Sequence, residues 1–134
     1  MTSKRAYYQD KLSDFLNKPS DHILGELSNR NQFKLDILQK NAWVSQINLL
    51  KKQLREFQFG EILFEFSIPR IGKRVDTVLL ISNIIFVIEF KTGSQEHTQQ
   101  SIDQTIDYAL DLKNFHEGSH NRKIVPILIS TNSN

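Results

Sequence analysis

Charged residues in two apolar stretches near the middle of the chain constrain its fold more than any other feature. A tight polar pair, Ser82-Asn83, joins the two stretches, which predicts an antiparallel β-hairpin. Asp76 interrupts the first stretch, and Glu89 and Lys91 lie at the end of the second. Burying a charge is unfavourable unless the group is paired or binds a metal. Any account of this chain must therefore explain these three groups.

Side-chain alternation along residues 84–91 separates the charged groups from most of the core. Glu89 and Lys91 share one face with Ile85 and Val87, and the other face carries Ile84, Phe86, Ile88 and Phe90. A carboxylate and an ammonium therefore project side by side from an otherwise apolar strand. A buried salt bridge from Lys91 to Glu89 or Asp76 would explain them without a metal, and alternation alone leaves both explanations open.

The size and composition limit the class of protein. The 134 residues suffice for one domain with a single core, and 39% apolar residues with 24% charged residues exclude wholesale disorder. The net charge of +2 does not by itself indicate nucleic-acid binding. The absence of Cys excludes disulfides and thiolate metal sites and is compatible with a cytoplasmic protein. The N-terminus has no apolar signal core, and the apolar run 78–88 is too short to span a bilayer.

The first 57 residues predict three helices. Residues 5–17 have apolar side chains at helical spacing, and Pro19 ends that helix. Ser20 or Asp21 can cap a short second helix. A longer third helix is expected over residues 35–57. Its last turns carry three cations that suit either the helix dipole with a solvated face or phosphate contacts, namely Lys51, Lys52 and Arg55.

The remaining residues predict a sheet with one crossover helix. Three strands are expected over 61–69, 74–81 and 84–90, connected as an antiparallel meander. In the first of them, alternation places Ile62, Phe64, Phe66 and Ile68 on one face and Glu61, Leu63, Glu65 and Ser67 on the other. A helix over 98–115 and a strand over 123–130 follow, and that last strand should lie parallel to a meander strand. The predicted order is α-α-α-β-β-β-α-β.

The acidic pair on the hairpin has the chemistry of a magnesium site. Mg²⁺ prefers one or two carboxylates together with waters and substrate oxygens. Asp76 and Glu89 provide two carboxylates on adjacent strands, and the carbonyl of Phe90 could add a ligand. Lys91 could orient or help to deprotonate an attacking water, or neutralise charge on a phosphate.

These residues resemble a known nuclease signature. Asp76 followed by Glu89-Phe90-Lys91 after a strand-turn-strand interval is similar to the motif of the PD-(D/E)XK nuclease superfamily. Gln104 and Tyr108, four apart on the predicted helix, resemble the QxxxY motif of its RecB-like branch. The resemblance implies a restriction-endonuclease-like αβββαβ core with a mixed sheet. It also implies Mg²⁺ or Mn²⁺ as cofactor, and Gln104 and Tyr108 directed towards nucleic acid.

A wider resemblance covers nearly the whole chain. Residues 64–76, 86–91 and 107–116 look like the N-terminal nuclease-like domain of bacterial proteins that carry a helicase of the Schlafen group 3 type. It implies a single nuclease-like domain over 1–134, with a helical extension at 1–33 and the core at 34–130. It further implies that the chain is part of a longer cytoplasmic protein whose helicase domain is absent here.

Two positions depart from the superfamily pattern. Val75 stands where a proline usually precedes the metal-binding aspartate. The helix before the first core strand often supplies a further acid, and the matching catalytic position here is Gln46, whose amide carries no charge. Glu56 or Glu65 could substitute, although alternation places Glu65 on the opposite side of its strand from Phe64. The sequence leaves these alternatives open.

Three cations cluster at the turn before the hairpin: Arg70, Lys73 and Arg74. They could contact phosphates beside the site or be solvated turn residues. The sequence therefore favours a metal-dependent nuclease that acts on nucleic acid, DNA rather than RNA. Two alternatives remain, a catalytically inactive nucleic-acid-binding module on a degenerate nuclease fold and an oligomerisation or docking domain.

Overall fold

The computed structural model describes residues 6–30, 37–57, 59–68, 73–92, 103, 106–107 and 123–131. Within these ranges the elements are β1 (Tyr8–Lys11), α1 (Leu12–Asn17), α2 (Ser20–Arg30), α3 (Ile37–Gln53), β2 (Glu61–Ile68), β3 (Lys73–Ile81), β4 (Ile84–Thr92) and β5 (Lys123–Thr131). Residues 103, 106 and 107 are helical, as expected for that part of the chain. The fold is α/β.

The strands form one mixed sheet in the order β1-β2-β3-β4-β5. Strands β1 to β4 are antiparallel to their neighbours, whereas β5 runs parallel to β4. The predicted meander and the predicted parallel last strand are therefore confirmed. The turn between β3 and β4 is the Ser82-Asn83 pair, and Ser82 adopts a φ of 55°, a left-handed conformation that permits a tight reversal.

The prediction of a helix over residues 5–17 is wrong for the first half of that range. Tyr8–Lys11 forms β1, which pairs with β2, and α1 begins only at Leu12. The Tyr8 ring packs 5.7 Å from the Phe64 ring, centroid to centroid, and the backbone N–H of Leu12 donates to the carbonyl of Gly60. A single apolar stripe is a weak helix signal, and pairing with a strand more than fifty residues away overrides it.

Two clusters of buried side chains lie on the sheet. The larger joins α1, α2 and α3 to the strands through residues such as Phe15, Trp43 and Ile88. The smaller includes Ile85 and Val87, which alternate along β4 with members of the larger cluster, as the sequence predicted. Each such aliphatic or aromatic side chain contributes about 1.5–3 kcal/mol on full burial.

Strand β2 does not keep the strict alternation that its sequence predicts. Phe64 belongs to the larger cluster, whereas Phe66 packs in the smaller one with Val75 and Val78. The residue between them, Glu65, has a φ of 55°. A left-handed residue breaks the two-residue period of a strand, so the side chains after it change face. The prediction that Phe64 and Phe66 share a face is therefore wrong.

Lys51 connects α3 to the end of α1 through hydrogen bonds. Its ammonium donates to the carbonyl oxygens of Phe15, Leu16 and Lys18 at 2.6, 3.3 and 2.5 Å. Burial lowers its pKa from the ordinary lysine value. Carbonyls at a helix C-terminus have no partner within the helix, so this lysine satisfies three acceptors at once. The structure thus gives Lys51 a structural role.

Candidate active site

Three acidic residues lie in one row across β2, β3 and β4. Glu65 and Asp76 are flanked on both sides by directly paired residues of β2 and β3, so the register places them opposite one another. The pairing of β3 with β4 ends at Thr77 and Ile88, and the next two residues in register are Asp76 and Glu89. The sheet therefore presents three carboxyl groups on neighbouring strands.

Asp76 links β3 to β4 by a side-chain hydrogen bond at the point where the described backbone pairing of these strands ends. Its Oδ2 accepts a hydrogen bond of 2.8 Å from the backbone N–H of Phe90. A side-chain carboxylate thus replaces a backbone carbonyl as the acceptor. This bond holds the half-buried Asp76 carboxylate beside the backbone of Glu89 and Phe90.

The environment of Glu89 favours its neutral form. Burial, a side-chain hydrogen bond with Asp76 and the negative charges of Asp76 and Glu65 raise the pKa of Glu89 from 4.5 to about 9. Burial is the largest of these causes. Near neutral pH, and without a cation, Glu89 therefore holds a proton beside the Asp76 carboxylate. The same carboxyl becomes an anionic ligand if a positive charge replaces that proton.

Glu65 belongs to the same electrostatic cluster. Burial and then the charge of Asp76 raise the pKa of Glu65 to about 7, while the Trp43 indole N–H and the Arg74 charge act in the opposite direction. The indole nitrogen of Trp43 is buried and makes no hydrogen bond of standard geometry, but it approaches closely enough to favour the carboxylate. Glu65 is thus the third carboxyl group of the site.

Side-chain alternation along β2 did not predict that Glu65 belongs to the site. The left-handed backbone at this position interrupts the period from which its direction was predicted. The sequence offered only a weak signal, an acidic residue between two phenylalanines, Phe64 and Phe66, whose burial is seen only in the structure. Glu56, the other acid considered for this role, is exposed in the turn after α3.

Gln46 is buried in α3 at 6% exposure, and its Oε1 has no hydrogen-bond partner among the described residues. It lies three residues after Trp43, hence on the same side of the helix. Trp43 reaches Glu65, so this side of α3 faces the site. Gln46 therefore brings a buried acceptor, without a charge, to the helix side nearest the carboxyl groups.

Arg74 is held at the edge of the site. Its Nη1 donates to the backbone carbonyl of Glu65 at 2.7 Å, and its guanidinium lies 4.2 Å from the centroid of the Tyr7 ring. The side chain remains exposed to solvent. A planar cation fixed in this way beside Glu65 is suited to contact a phosphate, because arginine donates several hydrogen bonds in one plane.

Several predicted site residues lie outside the described part of the chain. They are Arg70, Gln104, Tyr108 and the side chains of Lys73 and Lys91. The backbone of Lys91 is described and belongs to β4, two residues after Glu89. The structure thus brings together Asp76, Glu89, Phe90 and Arg74 of the predicted set and adds Glu65.

The donor set suits a hard cation. Among the described residues, no group of three His, Cys, Asp or Glu side chains is placed so that it could hold a metal ion. Mg²⁺ does not require such a group, since it commonly binds through one or two carboxylates and keeps several waters. Burial, and after it the crowding of like charge, raise the pKa of Glu89 and Glu65, and a divalent cation would offset the like charge.

Comparison of the chain with protein-family models, curated proteins and solved structures found no match. In the described part of the chain, no helix has both the length and the apolar character needed to cross a membrane.

Proposed function

We propose that this chain is a divalent-metal-dependent nuclease domain that hydrolyses phosphodiester bonds in nucleic acid, DNA rather than RNA. The observation that carries the proposal is the row of carboxyl groups from Glu65, Asp76 and Glu89 on three adjacent strands. Burial, and after it the negative charge of the neighbouring carboxyl groups, raise the pKa of Glu65 and Glu89, so the site favours either protons or a cation. A restriction-endonuclease-like core is part of the proposal, and the mixed sheet with a parallel last strand supports it.

Asp76 and Glu89 are the proposed metal ligands, with the carbonyl oxygen of Phe90 as a further donor. Glu65 adds negative charge beside these two ligands without completing a group of three metal-binding side chains. Bound Mg²⁺ or Mn²⁺ would lower the pKa of a coordinated water and polarise the scissile phosphate. The hydrogen bond from the Phe90 N–H keeps the Asp76 carboxylate oriented before a metal ion binds.

The proposed roles of the cations follow from their positions in the chain. Lys91, two residues after Glu89, assists the attacking water or neutralises charge on the phosphate. Arg74, fixed against the Glu65 carbonyl, contacts a neighbouring phosphate together with Arg70 and Lys73. Gln104 and Tyr108, which the sequence predicts to lie on one helix face, position the strand that is cut.

The test is cleavage of labelled single-stranded DNA, duplex DNA and RNA in Mg²⁺, Mn²⁺ or EDTA. We expect cleavage only with metal, and more of DNA than of RNA. Asp76→Asn, Glu89→Gln and Lys91→Ala should each lower the rate by two or more orders of magnitude, because each removes a charge that acts on the reacting atoms. Asp21→Asn removes an exposed carboxylate on α2 and should leave the rate unchanged.

Cleavage that persists in all three site variants would contradict the assigned roles. Circular dichroism and urea unfolding of each variant separate loss of the fold from loss of the chemistry. Cleavage in EDTA would contradict metal dependence. A loss of activity in Asp21→Asn equal to that in Asp76→Asn would also argue against this site.

One observation favours a second candidate function, a catalytically inactive module that binds nucleic acid on a degenerate nuclease fold. The helix position where the superfamily often has an acid is the neutral Gln46, buried without a partner in the described part of the structure. This candidate predicts salt-dependent binding that does not require a divalent ion. Calorimetric titration of Mn²⁺ into wild type and Glu89→Gln distinguishes the two, since only the nuclease requires a metal ion.

We also propose that this domain is part of a longer protein. The resemblance to helicase-associated nuclease domains suggests a longer cytoplasmic protein in which an ATPase domain follows this one. Expression of the complete reading frame and an assay for nucleic-acid-stimulated ATP hydrolysis would test this. Absence of any ATPase activity in the complete protein would count against it.

A further inference from the structure

A groove separate from the carboxyl site lies between α1, α3 and the segment that leads into β2. It encloses about 820 Å³, and its lining includes Asn48, Lys52, Arg55, Phe57 and Phe59. Ligand sites commonly have volumes in this range. The carboxyl site lies further along β2, and six residues of extended chain from Phe59 to Glu65 correspond to at most about 20 Å.

The charge of this groove is positive. Three of the side chains that line it are cations and none is acidic. Lys51 is occupied by the carbonyls at the end of α1, which leaves Lys52 and Arg55 to determine what the groove attracts. Both are exposed, and neither forms an ion pair within the described part of the chain. The groove thus offers two cations to an anionic ligand.

Two exposed aromatic rings stand beside these cations. Phe59 is 83% exposed and Phe57 is 45% exposed. Phe59 is the most exposed of the large apolar side chains that the structure describes. A phenylalanine in water gains no burial energy, so two such rings lining one groove indicate an interaction surface. Their flat faces suit stacking with other planar groups.

We propose that this groove binds a single-stranded segment of nucleic acid. Bases stack on Phe57 and Phe59, and phosphates contact Lys52 and Arg55. Aromatic rings interleaved with cations are the common means by which proteins hold single strands without regard to sequence. An acidic peptide would use the cations but would leave the two rings without planar partners. The choice of nucleic acid as the ligand class rests on the proposed function, and the groove then holds the strand away from the cleavage site.

The test is binding of fluorescein-labelled oligothymidylate to the whole chain, measured by anisotropy in EDTA so that cleavage does not interfere. Phe59→Ala should weaken binding about 5- to 100-fold through loss of base stacking. Arg55→Ala should weaken binding and reduce the slope of log affinity against log salt concentration by roughly 0.7, the value for one phosphate contact on a single strand. Lys40→Ala removes an exposed cation elsewhere on α3 and should change affinity less than twofold.

Three results would overturn this proposal: Phe59→Ala that binds within twofold of wild type, displacement of the oligonucleotide by poly-glutamate at equal charge concentration, or tighter binding of duplex than of single strand. The outcome is separate from that of the nuclease proposal. A protein that binds as described but never cleaves refutes only the nuclease function. A protein that cleaves while Phe59→Ala binds normally refutes only the groove.

Discussion

The Asp76 carboxylate and the backbone N–H of Phe90 form a 2.8 Å hydrogen bond that joins β3 to β4 beside Glu89. One carboxylate is therefore both a proposed metal ligand and a structural link in the sheet. The two roles have different chemical requirements. The structural role needs only an acceptor oxygen, whereas the metal role also needs negative charge.

Asp76→Asn and Asp76→Ala should separate these two roles. The asparagine side chain keeps a carbonyl oxygen for the Phe90 N–H, but alanine leaves that buried donor unsatisfied, which costs about 1–3 kcal/mol. We expect Asp76→Ala to lower the free energy of unfolding by this amount and Asp76→Asn by less than half of it. Urea denaturation in EDTA measures the difference. Both variants should lose Mn²⁺ binding, and equal destabilisation of the two would show that the hydrogen bond contributes little.

Stability of the metal-free protein should fall as the pH rises from about 5 to 9. The folded state raises the pKa of Glu89 from 4.5 to about 9 and that of Glu65 from 4.5 to about 7. Between these values the native protein holds protons that the unfolded chain has released. Stability therefore decreases with pH, by at most about 1.4 kcal/mol per pH unit for each proton. The contribution of Glu89 is complete below pH 4.5 and is lost as the pH passes 9.

Glu89→Gln is the matched control for this pH dependence. Glutamine is close in shape to the protonated glutamic acid and does not titrate. The variant should lose most of the slope between pH 7 and 9, as measured by urea unfolding in EDTA at several pH values. Glu61→Gln changes an acidic residue at the start of β2, outside the three-carboxyl row, and should keep the wild-type slope. Parallel slopes for Glu89→Gln and wild type would contradict the assignment.

Metal binding should release protons. Carboxylates bind a cation in their ionised form, so Glu89 must lose its proton when Mn²⁺ enters the site. We expect Mn²⁺ affinity to increase from pH 6 to pH 9. Calorimetry at pH 7 in buffers of different ionisation enthalpy should show release of close to one proton, and somewhat more if the nearby cation also ionises Glu65. Affinity that does not change with pH would contradict a role for Glu89 as a ligand.

The extent to which sequence predicts this fold differs between local and distant features. The hairpin at Ser82-Asn83 and the parallel last strand follow from local patterns, and both were predicted. The strand at Tyr8–Lys11 was not, because its conformation is determined by pairing with β2 rather than by its own residues. Propensity and periodicity over a short segment cannot represent a partner so far away in the chain.

The residues of the candidate site also divide into those visible in the local sequence and those that depend on the folded structure. Asp76 and Glu89 were predicted because a charged residue inside an apolar strand is visible without any structure. Glu65 was only an alternative, since its participation depends on one left-handed backbone angle that no pattern in the sequence reveals. Lys51 had two possible roles, and only the positions of the α1 carbonyls decide in favour of the structural one.

Glu65→Gln should weaken Mn²⁺ binding, and Gln46→Glu should strengthen it. Glu65 adds charge to the cluster, so its loss should reduce affinity by roughly 10-fold, as is usual for groups that support a metal site. Gln46→Glu places a carboxylate on the side of α3 that faces Glu65, where it should lower the stability of the metal-free protein because the charge is buried. Titration calorimetry measures the affinity for Mn²⁺, and urea unfolding in EDTA measures the loss of stability in the metal-free protein. Unchanged affinity in Gln46→Glu would show that this helix position does not reach the ion.

Lys51→Met should destabilise the protein far more than Lys52→Met, although the two lysines are neighbours in α3. The Lys51 ammonium satisfies three carbonyl oxygens at the end of α1, and methionine keeps the apolar stem but leaves those acceptors without their donor. We expect a loss of about 2–4 kcal/mol in the free energy of unfolding, since hydrogen bonds from a charged group contribute about 1.5–3 kcal/mol each and water will replace some of them. Lys52 is exposed, and its replacement should change stability by less than about 0.5 kcal/mol. Urea unfolding of both variants at pH 7 makes the comparison, and similar losses in both would contradict the structural role of Lys51.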